Sequence, residues 1–222
     1  MTVDKATGTI RPMTRRRPPP RSHSRSGTHS SKGGGRLRII GGEFRRRLLP
    51  VLDSPGLRPT PDRVRETLFN WLTAATPGAR VLDLFAGTGA LGLEALSRGA
   101  TEALFVERDA RVAQALGDNL QTLGAGERGT VRSADALELL VAGPTGLGPF
   151  SLVFLDPPFR QGLATPCIER LEQGWLTTDA WIYVETETGL DIEVPESWSL
   201  HREVRAGDST GRLYRRQAKP AA

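Results

Sequence analysis

Apolar residues fall in short runs set apart by glycine, proline and charge, and from residue 80 two kinds of run alternate. "RVLDLF" (80–85), "ALFVE" (103–107), "TVRSA" (130–134), "SLVFLD" (151–156) and "AWIYVET" (180–186) have the length and composition of strands. Between them, 90–98, 110–123, 136–141 and 163–173 carry helical spacing. Strands alternating with helices predict an α/β fold built on a parallel, doubly wound sheet. Near the C-terminus "SWSLHREVRAG" and "GRLYRR" are strand-like runs joined by a polar turn, which predicts a terminal antiparallel hairpin. No internal repeat interrupts this plan.

Ahead of residue 80 the pattern is different. In "RLRIIGGEFRRRLLPV" two apolar/basic runs flank Gly41-Gly42, a pair suited to the positive φ of a tight turn, so a small basic β-hairpin is expected. "SPGLRPTPDRVRETLFNWL" then opens with turn residues and continues as a helix. Thr60 is placed to be its N-cap and Pro61 its first helical residue, with Val64, Leu68, Trp71 and Leu72 as the buried face. Residues 1–35 are Pro, Ser, Gly and Arg with almost nothing to bury, a composition expected to be disordered. Their Arg/Ser-rich, acid-poor character is also that of an organelle transit peptide, the second reading. Three regions follow: a tail over 1–35, a hairpin and helix over 36–75, and an α/β domain over 76–218.

Charge changes the picture more than overall composition does. Residues 1–47 hold 13 of the 30 Lys and Arg against two acids, while the other 175 residues carry 17 basic and 23 acidic side chains. A basic arm on an acidic body suggests a polyanionic partner such as nucleic acid, or else a solvated tail. No apolar run approaches the ~20 residues of a membrane span, and no secretory h-region precedes the basic N-terminus. These features point to a soluble, cytoplasmic chain without membrane contact. The single cysteine, Cys167, excludes an internal disulfide and a Cys-rich zinc site. His23, His29 and His201 form no metal-ligand spacing, so no metal is expected.

Ligands of doubly wound sheets bind beyond the carboxyl ends of the strands, and four such ends carry chemistry here. Gly87-Thr88-Gly89-Ala90-Leu91-Gly92 matches G-x-G-x-x-G, which serves both NAD and S-adenosylmethionine. Asp83, just ahead of it, favours a cationic ligand over a pyrophosphate. Glu107, at the second strand end, can accept both hydroxyls of a ribose. Asp135, at the third, can read an adenine amine, cap the following helix, or do both. The fourth is "FLDPPF": two prolines remove N–H donors, leaving the Asp156 carboxylate and Pro157 carbonyl as acceptors, followed by the Phe159 ring. This array suits a planar base with an exocyclic amine, held by its N–H bonds and stacked on Phe159. Pro166-Cys167 has the residues of a methyltransferase nucleophile, but its helical position makes Cys167 a packing residue.

The set Asp83–Gly89, Glu107, Asp135 and Asp156–Phe159 resembles class I S-adenosylmethionine-dependent methyltransferases acting on exocyclic amines. More narrowly, "RIIGGEFRRRLLPV", "SPGLRPTPDRVRETLFNWL", "LDLFAGTGALGLEALSRGA", "VFLDPPFRQGL" and "WSLHRE" resemble the RsmD family over about 36–216. The resemblance implies a Rossmann-like methyltransferase sheet and methylation of guanine N2 in 16S ribosomal RNA, within a small ribosomal subunit or its assembly intermediate. The reaction expected is direct in-line transfer, with S-adenosylhomocysteine as product, and a monomer is the default expectation. Asp83, Phe85, Gly87, Thr88, Gly89, Glu107, Arg108, Asp135 and Ala136 would hold the cofactor, and Asp156, Pro157 and Phe159 would be catalytic. Arg36, Arg38, Arg45, Arg46, Arg47, Arg58, Thr60, Arg63 and Pro158 would face RNA, with Arg65 beside them. The rivals are a DNA adenine-N6 or protein glutamine methyltransferase, an NAD-dependent oxidoreductase, and a non-catalytic assembly factor.

Overall fold

The structure, a computed structural model, describes residues 35–52 and 60–217, so the expectation of a disordered tail falls, but for Gly35, outside the described residues. In chain order the elements are β1 (Arg36–Arg38), β2 (Leu48–Pro50), α1 (Asp62–Trp71), β3 (Arg80–Asp83), α2 (Ala90–Ser97), β4 (Glu102–Glu107) and α3 (Ala110–Leu123). They continue with β5 (Gly129–Ser133), α4 (Ala136–Ala142), β6 (Phe150–Leu155), α5 (Ala164–Leu171), β7 (Leu176–Glu187), β8 (Trp198–Ala206) and β9 (Ser209–Arg216).

Seven strands form one sheet in the order β5-β4-β3-β6-β7-β9-β8. β5, β4, β3, β6 and β7 are parallel, and β9 and β8 add antiparallel partners. The chain winds outward from β3 through β4 to β5, then crosses to β6, so the order reverses between β3 and β6. That reversal is where a doubly wound sheet opens a crevice. β9 pairs directly with β7 and leaves β8 at the edge. Composition accounts for this: Leu213 and Tyr214 of β9 are buried, whereas His201, Arg202, Glu203 and Arg205 of β8 are exposed.

Each sheet face has its own core. Leu68 and Phe69 of α1 with the following Leu72, Leu93 and Leu96 of α2, and Leu116 and Leu120 of α3 pack with Phe105, Phe154 and Tyr183. Leu140 of α4 and Ile168 and Leu171 of α5 pack with Leu82, Val153 and Ile182 on the other. Each such side chain contributes roughly 1.5–3 kcal/mol on burial.

The N-terminal segment departs from expectation in three ways. β1 and β2 pair antiparallel, but Gly41-Gly42 is not a tight turn; the connection runs from Ile39 to Arg47 and buries Phe44. Gly42 has φ +74°, and a Cβ there would fall 1.8 Å from the Ser97 carbonyl oxygen, so the loop rests directly on the end of α2. Second, Pro61 rather than Thr60 holds the cap position of α1, with extended ψ and no side-chain cap. Its carbonyl accepts from the Val64 and Arg65 amides, which puts the Thr60 hydroxyl a residue too early to cap. Third, the buried face of α1 includes Phe69 and Arg65, while Trp71 is only half-buried.

Arg65 is 1% exposed and belongs to a buried junction, not to an RNA-facing surface. Its guanidinium bonds Asp62 (2.6 Å), the Arg38 carbonyl (2.8 Å) and Glu94 (3.4 Å). Glu94, buried within α2, also accepts from the Ile40 and Gly41 amides at 2.8 Å and from Arg98 at 2.7 Å. One carboxylate therefore ties the N-terminal loop, α1 and α2 together.

Candidate active site

The crevice at the carboxyl ends of the strands is a cavity of about 810 Å³. Its wall brings together Asp83, Phe85, Gly87, Thr88, Glu107, Arg108, Asp135, Ala136, Asp156, Pro157, Pro158 and Phe159, residues scattered over 77 positions of sequence.

At one end, β3 delivers Asp83 and then turns through the glycine loop into α2. Asp83 is 3% exposed, and its carboxylate accepts the Gly92 amide at 3.0 Å. Burial pushes it up to about 7 against that hydrogen bond, with the charge of Glu107 adding to the rise. Gly89 does not line the cavity. It caps α2 at φ +77°, and a Cβ there would meet Leu116 Cδ1 at 2.4 Å. Gly92, the third motif glycine, likewise clears Phe105, whose Cε1 would lie 2.2 Å from a Cβ. Two of the three glycines thus serve close packing between helix, loop and sheet.

Glu107, from the end of β4, accepts the Gly87 amide at 2.9 Å on one oxygen and the Asp109 amide at 2.7 Å on the other. It braces the glycine loop against the next loop, and each oxygen keeps a lone pair for a further donor. Asp135 caps α4, one oxygen accepting from Leu137 and Glu138 at 2.9 and 3.1 Å. Its other oxygen accepts no hydrogen bond from the described residues.

β6 ends at Leu155 and is followed by Asp156-Pro157-Pro158-Phe159. Asp156 makes no hydrogen bond to the described residues; burial, then the charges of Glu185 and Asp83, hold its carboxyl well above the usual carboxylate range. Phe159 is 36% exposed at the cavity wall. Just after the loop Arg160 sits at φ +62°, and its amide donates to Glu187. A non-glycine residue in that region costs of order 1 kcal/mol, offset here by the carboxylate that takes its N–H.

Sequence reasoning missed several wall residues: Gln161 after the loop, Ala206 and Ser209 at the β8–β9 turn, and above all Glu185 on β7. The signal for Glu185 was present as an acid inside the apolar strand "AWIYVET". The basic residues distribute unevenly. Arg36, Arg38, Arg45, Arg46, Arg47 and Arg63 are exposed, but Arg38 pairs with Asp62 at 2.6 Å and Arg47 with the Thr122 carbonyl at 3.0 Å. None of these six lines the cavity; Thr60 and Pro61 do, linking the N-terminal segment to it. Arg58 lies outside the described residues. Cys167 is buried in α5 with its thiol pushed up to about 12 by burial and Asp135, as a packing residue should be.

A family model described as conserved hypothetical protein 95 matches residues 37–215. The chain is 55% identical over 190 residues to ribosomal RNA small subunit methyltransferase D of Escherichia coli, covering 84% of this chain and 93% of that one. The protein of the same name from Haemophilus influenzae is 48% identical over 182 residues, 81% and 94% of the two chains. The solved structure of yhhF, a candidate methyltransferase from Escherichia coli, superposes with a TM-score of 0.75 at 51% identity, covering 83% of this chain and all of that one.

Proposed function

The chain belongs to the RsmD family, and from that premise we propose that it transfers a methyl group from S-adenosylmethionine to the exocyclic N2 of a guanine in small-subunit (16S) ribosomal RNA. The observation that carries this reading is the acceptor array of the Asp156 carboxylate and Pro157 carbonyl at the cavity wall, where Asp156 has no donor from the described residues.

The cavity's carboxylates fit the cofactor. Asp83 offers a buried carboxylate without a cationic partner among the described residues, suited to the positive charge of the methionine portion, and the start of α2 lies beside it. Glu107 keeps lone pairs for the ribose hydroxyls and Asp135 a free oxygen for the adenine amine. Phe85, Thr88, Arg108 and Ala136 complete this half of the wall. Bound there, the cofactor supplies an electrophilic methyl group.

The chain's own residues then act on the acceptor base. Asp156 and the Pro157 carbonyl accept the two N2 hydrogens, which favours a pyramidal nitrogen with a free lone pair. Phe159 stacks on the base, a contact worth roughly 1–3 kcal/mol, and Pro158 stiffens the backbone that carries both. Asp156 takes the proton that N2 gives up. Positioning supplies much of the acceleration in such a site.

Asp156→Ala is expected to lower turnover of small-subunit RNA at least ~100-fold while S-adenosylhomocysteine still binds within a few-fold of wild type by calorimetry. Retained turnover would remove Asp156 from the reaction. DNA and a glutamine peptide, assayed in parallel, are expected to take no label.

A further inference from the structure

Glu185, a further acid of the cavity wall, has no assigned task. Register places it: Leu155 of β6 pairs with Val184 of β7, so the next residues, Asp156 and Glu185, lie side by side on neighbouring strands. Such strands are about 4.8 Å apart. Asp83 is in register with Phe154, two residues before Asp156 and therefore on the same face of the sheet. Asp83, Asp156 and Glu185 thus converge on one cavity from three adjacent strands, and no Lys or Arg among the described residues pairs with any of them.

Glu185 is held in place. It is 7% exposed, and one oxygen accepts from the Tyr183 hydroxyl at 2.9 Å. Gly211, opposite it on β9, makes room: a Cβ there would lie 2.0 Å from the Tyr183 hydroxyl. The nearby Arg212 is spent on Thr186 at 3.0 Å and Glu203 at 3.1 Å. The second oxygen of Glu185 accepts nothing from the described residues, although the side chain lines the cavity.

Two adjacent carboxylates, each with an oxygen that accepts nothing from the described residues, call for a ligand edge with adjacent donors. Guanine presents N1–H and N2–H₂ side by side. Adenine sets a lone pair at N1 beside its amine, which would face a carboxylate with like polarity. Resting on the reading above, we infer that Glu185 determines specificity by accepting guanine N1–H beside the Asp156 that accepts from N2. Tyr183 is the positioning residue that aims it.

The test crosses protein with base. The full chain first methylates small-subunit RNA, and the modified position is mapped. RNAs carrying guanine or 2-aminopurine at that position, the latter keeping the 2-amine but lacking N1–H, are then compared for wild type and Glu185→Gln. Affinity in the presence of S-adenosylhomocysteine is measured beside kcat/KM, so an inactive variant is still read. 2-Aminopurine is expected to weaken wild type about tenfold, whereas Glu185→Gln, whose amide can donate to N1, loses about tenfold on guanine and little or nothing further on 2-aminopurine. Unchanged S-adenosylhomocysteine affinity in the variant would show an intact fold. An equal 2-aminopurine penalty in both proteins overturns the role of Glu185 alone. No guanine-N2 methylation by wild type removes the parent reading and this one with it.

Discussion

Asp83 sits under the glycine loop with one backbone donor and no cation among the described residues, and that isolation sets its behaviour with pH. The folded chain keeps its proton up to about 7, whereas the unfolded chain releases it near 3.8. The folded state therefore binds more protons between those values, so stability falls as pH rises through that window and is level above it. Asp83→Asn removes the effect. The variant is expected to gain on the order of 2 kcal/mol over wild type at pH 8 and to lose the gain at pH 4, read by denaturant melts at both. The same substitution should weaken S-adenosylmethionine binding and abolish its tightening as pH rises through about 7, because only the ionised carboxylate attracts a cation. Equal stability differences at both pH values would show that Asp83 titrates normally. A group that destabilises the empty fold in order to hold a ligand is common at functional sites.

At the scale of elements, the sheet was legible because its determinants are local. The five parallel strands and the four helices among them follow from apolar runs and helical spacing, and the structure keeps them within a few residues of the sequence reading. The strand-end acids were legible for the same reason, since a doubly wound sheet tells which residues meet. Glu185 was not, because its role depends on which strand lies beside β6, a fact of topology and not of local pattern. Arg65 and Glu94 were hidden too: each looks like a surface charge, and only the three-way packing of loop, α1 and α2 buries them. The tight turn at Gly41-Gly42 failed because Gly42 serves contact with Ser97. That junction makes its own prediction. Glu94→Ala leaves Arg65 buried and three further donors unmatched, and should cost about 3–5 kcal/mol, lowering the melting temperature well beyond the effect of Arg63→Ala on the exposed face of α1. Similar losses from both would mean that the junction is not a structural keystone.

For the whole molecule, charge is segregated: the first 47 residues carry a large basic excess, and the rest is acidic. The cavity is lined by carboxylates, which repel phosphate, so attraction for a polyanion has to come from outside it. The exposed Arg45, Arg46 and Arg63 flank the segment that reaches the wall at Thr60 and Pro61. Replacing all three by Ala is expected to weaken small-subunit RNA binding and to flatten the log–log dependence of affinity on salt by about 2, with S-adenosylhomocysteine affinity unchanged. An unaltered slope would place the RNA surface elsewhere.

The acceptor array and glycine loop together are proposed to methylate guanine N2. That reaction is tested most directly by incubating the full chain with labelled S-adenosylmethionine and unmodified small-subunit RNA, free or in assembled subunits, then mapping the labelled oligonucleotide by mass spectrometry and digesting it to identify the modified nucleoside. Label is expected in N2-methylguanosine at a single position, lost with Asp156→Ala. Label in N6-methyladenosine, in a 5-methylpyrimidine or in no nucleoside at all would contradict it.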